Sequence, residues 1–317
     1  MVLNNNKIER WKTDTMESVD FYNNWFMEFA PKAYRDARMG IIKKVEKAMA
    51  ATGNFTDISV EKLLTCPGLL ATLRMATAPP LARDRLAGLS CSDRTLVKRL
   101  ESDTLQHIVD NENIRGQVSR MSVVLRRMLD TGIMPWLSGD RKSRKTDLRR
   151  CAAIIADRLN GALADPIIRN EQEKRQLAAI SSFLEKRNYV FIPANEVPDF
   201  REMPERSFTF HLNVPVNLPT GKSIKMPVDV VVSTDKKGNG QTPILIECKS
   251  AGDFANTNKR RKEEAVKASQ LRATYGSGVN FLLFLCGYFD PAYLGYEAAE
   301  GIDWVWEHRI SDLLEIV

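Results

Sequence analysis

An α/β protein with an all-helical first half is the expectation for this chain, and three features carry it. Apolar residues recur at three- and four-residue intervals from Trp11 to about Leu129, with almost no strand-like run before Tyr189. Past Tyr189, short segments rich in β-branched residues alternate with stretches of Gly, Asn and charge. A continuous apolar run, Val279 to Cys286, then follows a charged helical segment, as a strand buried on both faces would.

In the first half the periodicity predicts helices over residues 11–30, 32–51 and 60–75, with Thr, Asp and Ser available as caps. Pro79-Pro80 stops the third, and further helical stretches follow at 81–86, 94–109 and 119–129. A crowd of cations, Arg141, Lys142, Arg144, Lys145, Arg149 and Arg150, marks a change of character. A helix over about 147–164 comes next. Asp165 then resembles an N-cap and Pro166 a first-turn residue, opening a long amphipathic helix to 185. Strands are expected at 189–192, 207–213, 223–234 and 242–249, a helix at 262–275 and a buried strand at 279–286. The boundary is therefore placed between a helical region, 1–145, and an α/β domain, 146–317.

The composition narrows the function classes. With 317 residues and 44% hydrophobic content the chain can bury a large core. No run of eighteen apolar residues and no apolar leader after the polar start MVLNNNKIERWKTD is present, so neither a membrane span nor a secretory signal is expected. Cys66, Cys91, Cys151, Cys248 and Cys286 lack CxxC spacing and read as reduced thiols of a cytoplasmic protein. His107, His211 and His308 are scattered singly, which argues against a His-based metal site. GxGxxG and GxxxxGK[ST] are both absent, so no nucleotide cofactor is expected. A net charge of +6 permits a polyanionic partner without requiring one.

Chemistry concentrates on two apolar strands interrupted by charge. KMPVDVVVST carries Asp229 and TPILIECKSA carries Glu247 and Lys249, with the turn-rich DKKGNGQ between them. Alternation puts Glu247 and Lys249 on one face of their strand. A hairpin centred near Gly238 sets Asp229 opposite Glu247, at a cross-strand Cβ separation of about 4.5–5.5 Å. Two carboxylates that close repel each other unless a cation lies between them, and Mg²⁺ suits carboxylate, water and phosphate oxygens. Such a metal activates water, and the lysine stabilises charge on the attacked group, so the pattern points to phosphodiester hydrolysis. The competing reading is a structural ion pair between Glu247 and Lys249, because a chance Glu-x-Lys is expected about once in a chain of ordinary composition.

On these residues the C-terminal half resembles the PD-(D/E)xK nuclease fold, a mixed sheet flanked by helices. The strings ADPIIRNEQEKRQL, IECKSAGDFANTNKRRKEEA, FLCGYFDPAYLGYEAAEGIDWVWEHRI and, in the helical half, ATLRMATAPPLARDRLAGLS, VDFYNNWF and APKAYRDAR resemble the SalI/XamI family of type II restriction endonucleases. The resemblance covers almost the whole chain. It implies Mg²⁺ held by Asp229 and Glu247, with Lys249 as the catalytic lysine and the backbone carbonyl of Cys248 reaching the metal. The signature Pro is displaced to Pro227, one residue early. A helix carboxylate often completes such sites; Glu173 is favoured over Glu171. Asn256, Thr257, Asn258, Lys259, Arg260 and Arg261 have side chains suited to base edges and phosphates. A homodimer cutting the palindrome GTCGAC and leaving 5′-phosphates is implied, with the helical region clamping DNA or dimerising. Two alternatives stay open at this point: a structure-selective repair or junction nuclease of the same fold, and a DNA-binding regulator without catalysis.

Overall fold

The computed structural model describes residues 3–66, 68–102, 111–139, 142–218, 220–235, 242–255 and 257–317, with backbone alone at 162–165 and 258–260. Two compact units emerge: Met1–Phe29 together with Ile168–Val317, and Ala30–Ile167.

The unit Ala30–Ile167 is helical. It takes the later turns of α1 (Ile8–Ala51), then α2 (Val60–Thr65), α3 (Leu69–Met75), α4 (Arg83–Leu89), α5 (Arg94–Glu101) and α6 (Glu112–Met128), and the first turns of α7 (Lys145–Glu185). Leu63, Leu70, Leu73, Val97, Leu100, Val118, Met121 and Leu125 are buried in its core. The periodicity of 60–75 is real, but the helix is cut in two at Gly68, whose φ of +71° caps α3 in a conformation glycine tolerates best. In the opposite sense, Pro31 and Pro166 do not end helices; both lie inside long ones. Both prolines are exposed, and so are most residues of the turns around Pro31, so these helices run on without burial to offset the hydrogen bond each proline removes. The tail of the helix expected at 94–109 falls outside the described residues.

Of Arg74, Arg83 and Arg85 around the Pro79-Pro80 break, readable from the sequence equally as phosphate contacts or as surface charge, the first two have another role. Both instead grip Glu101, whose side chain is 2% exposed, and Arg74 also donates to Leu81 O. That carboxylate is the polar pivot of the helical core.

The other unit is built on a six-stranded mixed sheet in the order β1 (Val190–Phe191), β2 (Ser207–Asn217), β3 (Ser223–Ser233), β4 (Ile244–Ala251), β5 (Phe281–Gly287), β6 (Asp303–Trp306). β2, β3 and β4 are antiparallel, while β1 on β2 and β4, β5 and β6 among themselves are parallel. α8 (Thr257–Tyr275) and α9 (Pro291–Ala299) complete the βαβ crossovers that parallel strands require. α8 starts five residues before its predicted onset, because a charge run that reads as loop is a helix start. Ala268, Leu271, Tyr293 and Leu294 cover one face with Val228, Leu245, Leu283 and Trp304. Ile180, Phe183 and Leu184 of α7 cover the other with Val230, Ile246 and Phe284.

One irregularity shapes the site. A strict two-residue alternation would put Phe208, Phe210, Leu212 and Val214 on a single face of β2. Instead Phe208 and Phe210 pack in one core and Leu212 and Val214 in the other. His211, with φ at +54°, turns the strand over, and the β2–β3 ladder skips His211 and Asp229.

The chain's beginning is sewn to its end. Asp303 accepts the backbone N–H groups of Leu3, Asn4 and Asn5 at 2.5, 2.9 and 3.1 Å. The Trp11 indole donates to Asn4 O and meets Trp304 edge-on, with centroids 5.7 Å apart. Close approach also fixes Gly287: its φ is +94°, and a Cβ there would lie 2.1 Å from Ala251 O. Gly287→Ala is expected to cost roughly 2–3 kcal/mol in urea unfolding through strain and displacement of β4. A change within a few tenths of that of the parent would mean the approach is looser than described.

Candidate active site

β3 and β4 are hydrogen-bonded only as far as Val230 opposite Ile246, beyond Val231–Leu245 and Val232–Ile244. One step further along that register brings Asp229 to Glu247, the pairing expected from a turn near Gly238, which itself lies outside the described residues. There the strands part. The Asp229 carboxylate takes over the missing ladder bond by accepting the Cys248 N–H at 2.8 Å. A cleft of about 300 Å³ opens at this fork, lined by Arg169, Gln172, Glu173, Gln176, Asp229, Glu247, Cys248, Lys249, Ser250 and Glu263.

Glu247 is 3% exposed. Its Oε1 accepts from Lys249 Nζ at 2.8 Å and from Lys267 Nζ, on α8, at 2.5 Å. Its Oε2 is buried with no partner. A buried carboxylate oxygen left bare is costly unless a further cation or donor meets it. Asp229 is raised from the ordinary carboxylate range, first by burial and then by the charge of Glu247. Two mutually repelling carboxylates, one with an orphaned oxygen, make an all-oxygen donor set that fits a hard divalent cation such as Mg²⁺. Burial pulls the Lys249 ammonium down, but Glu247, Glu264 and Asp229 outweigh it, so its pKa lies above the ordinary lysine value.

Behind Lys249 lies an acidic pocket that the sequence did not single out. Glu264, Glu297 and Tyr293 are 1%, 0% and 3% exposed, and the Tyr293 hydroxyl donates to Glu264 at 2.5 Å. Burial, then the charge of Glu264, pushes the Glu297 carboxyl up to about 8. At neutral pH Glu297 therefore keeps its proton and spares the core a second buried negative charge.

Asp229, Glu247, Cys248, Lys249 and Glu173 all reach the cleft. Glu173 is half exposed there, 3.7 Å from His211 Nε2. Glu171 does not line the cleft and pairs with Lys174 at 3.6 Å. Of the six residues expected to touch DNA, Asn256 lies outside the described residues, as do the side chains of Asn258, Lys259 and Arg260. Thr257 is 4% exposed, and its hydroxyl donates to Phe254 O at 3.0 Å. Arg261 stacks over the Tyr296 ring at 3.6 Å. Sequence reasoning missed Gln172 and Gln176, whose i, i+4 spacing puts both on one face of α7. Gln172 Nε2 donates to the Tyr22 hydroxyl at 2.8 Å. Gln176 Nε2 donates to Phe284 O at 3.2 Å and Lys249 O at 3.4 Å, tying α7 to β5 and β4.

A second group of liganding side chains, Asp14, Glu17 and His308, lies away from the cleft. Arg309 already holds Asp14 in a two-pronged contact at 2.6 and 3.0 Å, so a cation there would face a fixed guanidinium. Among the described residues no helix is long and apolar enough to cross a membrane.

The family model of the XamI restriction endonuclease matches residues 53–306. The chain is 46% identical over 314 residues to the type II restriction enzyme SalI of Streptomyces albus G, an alignment covering 98% of each chain. No solved structure matches it. A match over most of the chain, reaching from the helical unit through the forked strands to β6, makes this protein a member of the XamI restriction endonuclease family.

Proposed function

We propose that this chain is a type II restriction endonuclease of PD-(D/E)xK architecture that cleaves both strands of a palindromic DNA site in the presence of Mg²⁺. The single observation that carries the reading is the fork between β3 and β4, where Asp229, the bare Oε2 of Glu247 and the Lys249 ammonium meet in one open cleft.

Each residue has a task set by its surroundings. Asp229 and Glu247 Oε2, with the Cys248 carbonyl, would hold the metal, which when bound supplies a water of lowered pKa and neutralises phosphate charge. Lys249 is kept as an ammonium by its acidic neighbours, so it acts as a donor toward the phosphate rather than as a base. Gln176 fixes the backbone carbonyl of Lys249 and so limits where that ammonium can swing. Glu173, at the rim, orients water or a metal-bound ligand; its exposure leaves it room to move. Of the segment Asn256, Thr257, Asn258, Lys259, Arg260 and Arg261 proposed to meet DNA, Arg261 is held over the Tyr296 ring, whereas buried Thr257 is spent on Phe254 O and braces the start of α8 instead. The palindrome that the family resemblance implies, GTCGAC, is the site to try first, with 5′-phosphate ends and a homodimer whose two-fold axis matches the palindrome. The helical region serves this assembly as clamp or dimer contact; the division expected from the sequence, 1–145 against 146–317, differs from that of the compact units, in which Met1–Phe29 goes with Ile168–Val317.

Lys249→Ala is the direct test. Plasmid cleavage with Mg²⁺ is expected to fall about 10²–10³-fold, with DNA binding in Ca²⁺ retained. Full activity in the variant would remove Lys249 from the mechanism. Discrete plasmid fragments support the site-specific reading, whereas smears or a preference for branched substrates would replace it with a repair nuclease. Retarded DNA with no scission at any metal concentration would leave only a binding protein.

A further inference from the structure

We propose that Lys267 is a positioning residue: a strut from α8 that sets the gap between the two strands carrying the carboxylates. The inference rests on the metal-dependent nuclease reading and adds to it a residue outside the Asp229, Glu247, Lys249 signature.

The β3–β4 ladder stops at Val230 opposite Ile246, so backbone hydrogen bonds do not fix the strands where the acids sit. Two side-chain links span the fork instead. One is Asp229 accepting the Cys248 N–H. The other is the Lys267 ammonium, which donates to Pro227 O on β3 at 3.3 Å and to Glu247 Oε1 on β4 at 2.5 Å. Pro227 precedes Asp229 by two residues, so the strut ends beside each acid. A single cation touching both strands sets their spacing directly.

α8 is a firm base for it. Ala268 and Leu271 are buried in the core beside Lys267, and Arg272 clasps Glu300 O and Gly301 O at 2.6 and 2.8 Å. The Lys267 side chain is itself 24% exposed, drawn along the helix flank into the fork.

The two lysines thus divide one carboxylate oxygen by role. Lys249 is a strand residue at the cleft and can leave Glu247 for an arriving phosphate. Lys267 stays, keeping Oε1 occupied and the carboxylate turned so that Oε2 faces a metal.

The test uses the full chain with Lys249→Ala, Lys267→Met and Lys267→Arg beside the parent. Mn²⁺ binding to the protein alone is followed by electron paramagnetic resonance, and the Mg²⁺ midpoint of plasmid cleavage is measured separately. Lys267→Met is expected to weaken Mn²⁺ binding and to raise the Mg²⁺ midpoint by about tenfold or more, the scale of lost support behind a metal ligand. Lys267→Arg, which keeps the charge and several donors, is expected within about threefold of the parent. Lys249→Ala is expected to lose cleavage while binding Mn²⁺ as the parent does. Parent-like Mn²⁺ affinity and midpoint in Lys267→Met overturn the strut, and so does Lys267→Arg as impaired as Lys267→Met. Should Lys267→Met fail to fold, Lys267→Gln carries the same expectation. A parent that never cleaves DNA, yet loses Mn²⁺ on removal of Lys267, would sink the nuclease reading and keep the strut.

Discussion

Glu247→Gln is expected to cut DNA about 10²–10³-fold more slowly than the parent, and raising Mg²⁺ is not expected to restore the rate. The side chain keeps its size and one carbonyl oxygen, but it loses the charge that two ammonium groups share and replaces the bare Oε2 with either an amide or a neutral carbonyl. A neutral amide is a poor ligand for a hard cation in a buried place. Single-turnover cleavage across a Mg²⁺ titration is the measurement, made below a melting temperature determined for each protein. A variant that regains the parent rate at high Mg²⁺ would demote Glu247 from essential ligand to helper. One with the parent rate throughout would return the Glu247–Lys249 pair to the status of a structural ion pair.

The largest loss of stability is expected from Glu101→Leu in the helical unit, at about 3–5 kcal/mol. Arg83 is 58% exposed and can rehydrate, but Arg74 is only 9% exposed and would be left as a buried charge with Leu81 O as its remaining acceptor. Urea unfolding of parent and variant gives the difference. Replacing Arg74 by Met in the same chain is expected to recover a large part of it, because removing both buried charges is far milder than orphaning one. A loss under about 1 kcal/mol for the single variant would mean water reaches Arg74.

Much of the site was legible because strands have the simplest grammar. Asp229, Glu247 and Lys249 stand out as charges among Val230, Val231, Ile244 and Ile246, and the distance of each acid from the turn fixes which residues face each other. Lys267 was hidden for the opposite reason. It sits in a helix of mixed charge, eighteen positions from Lys249 in sequence order, and only the tertiary packing of α8 decides which of its cations turns inward. Proline misled at Pro31 and Pro166, where a long helix runs on through an exposed local breaker. His211 gave no warning at all: nothing in HLN marks the left-handed turn that swaps the faces of β2. The attachment of residues 3–5 to Asp303 is likewise invisible, since a polar opening segment and a lone Asp three hundred positions apart carry no shared pattern.

That attachment sets a timetable for synthesis. The forked strands leave the ribosome well before Asp303 does, yet a nascent chain short of β6 offers Leu3, Asn4 and Asn5 no carboxylate and leaves the outer rim of β5 without its neighbour. The clasp therefore closes only after β6 has been made, and a copy terminated before Asp303 is born without it.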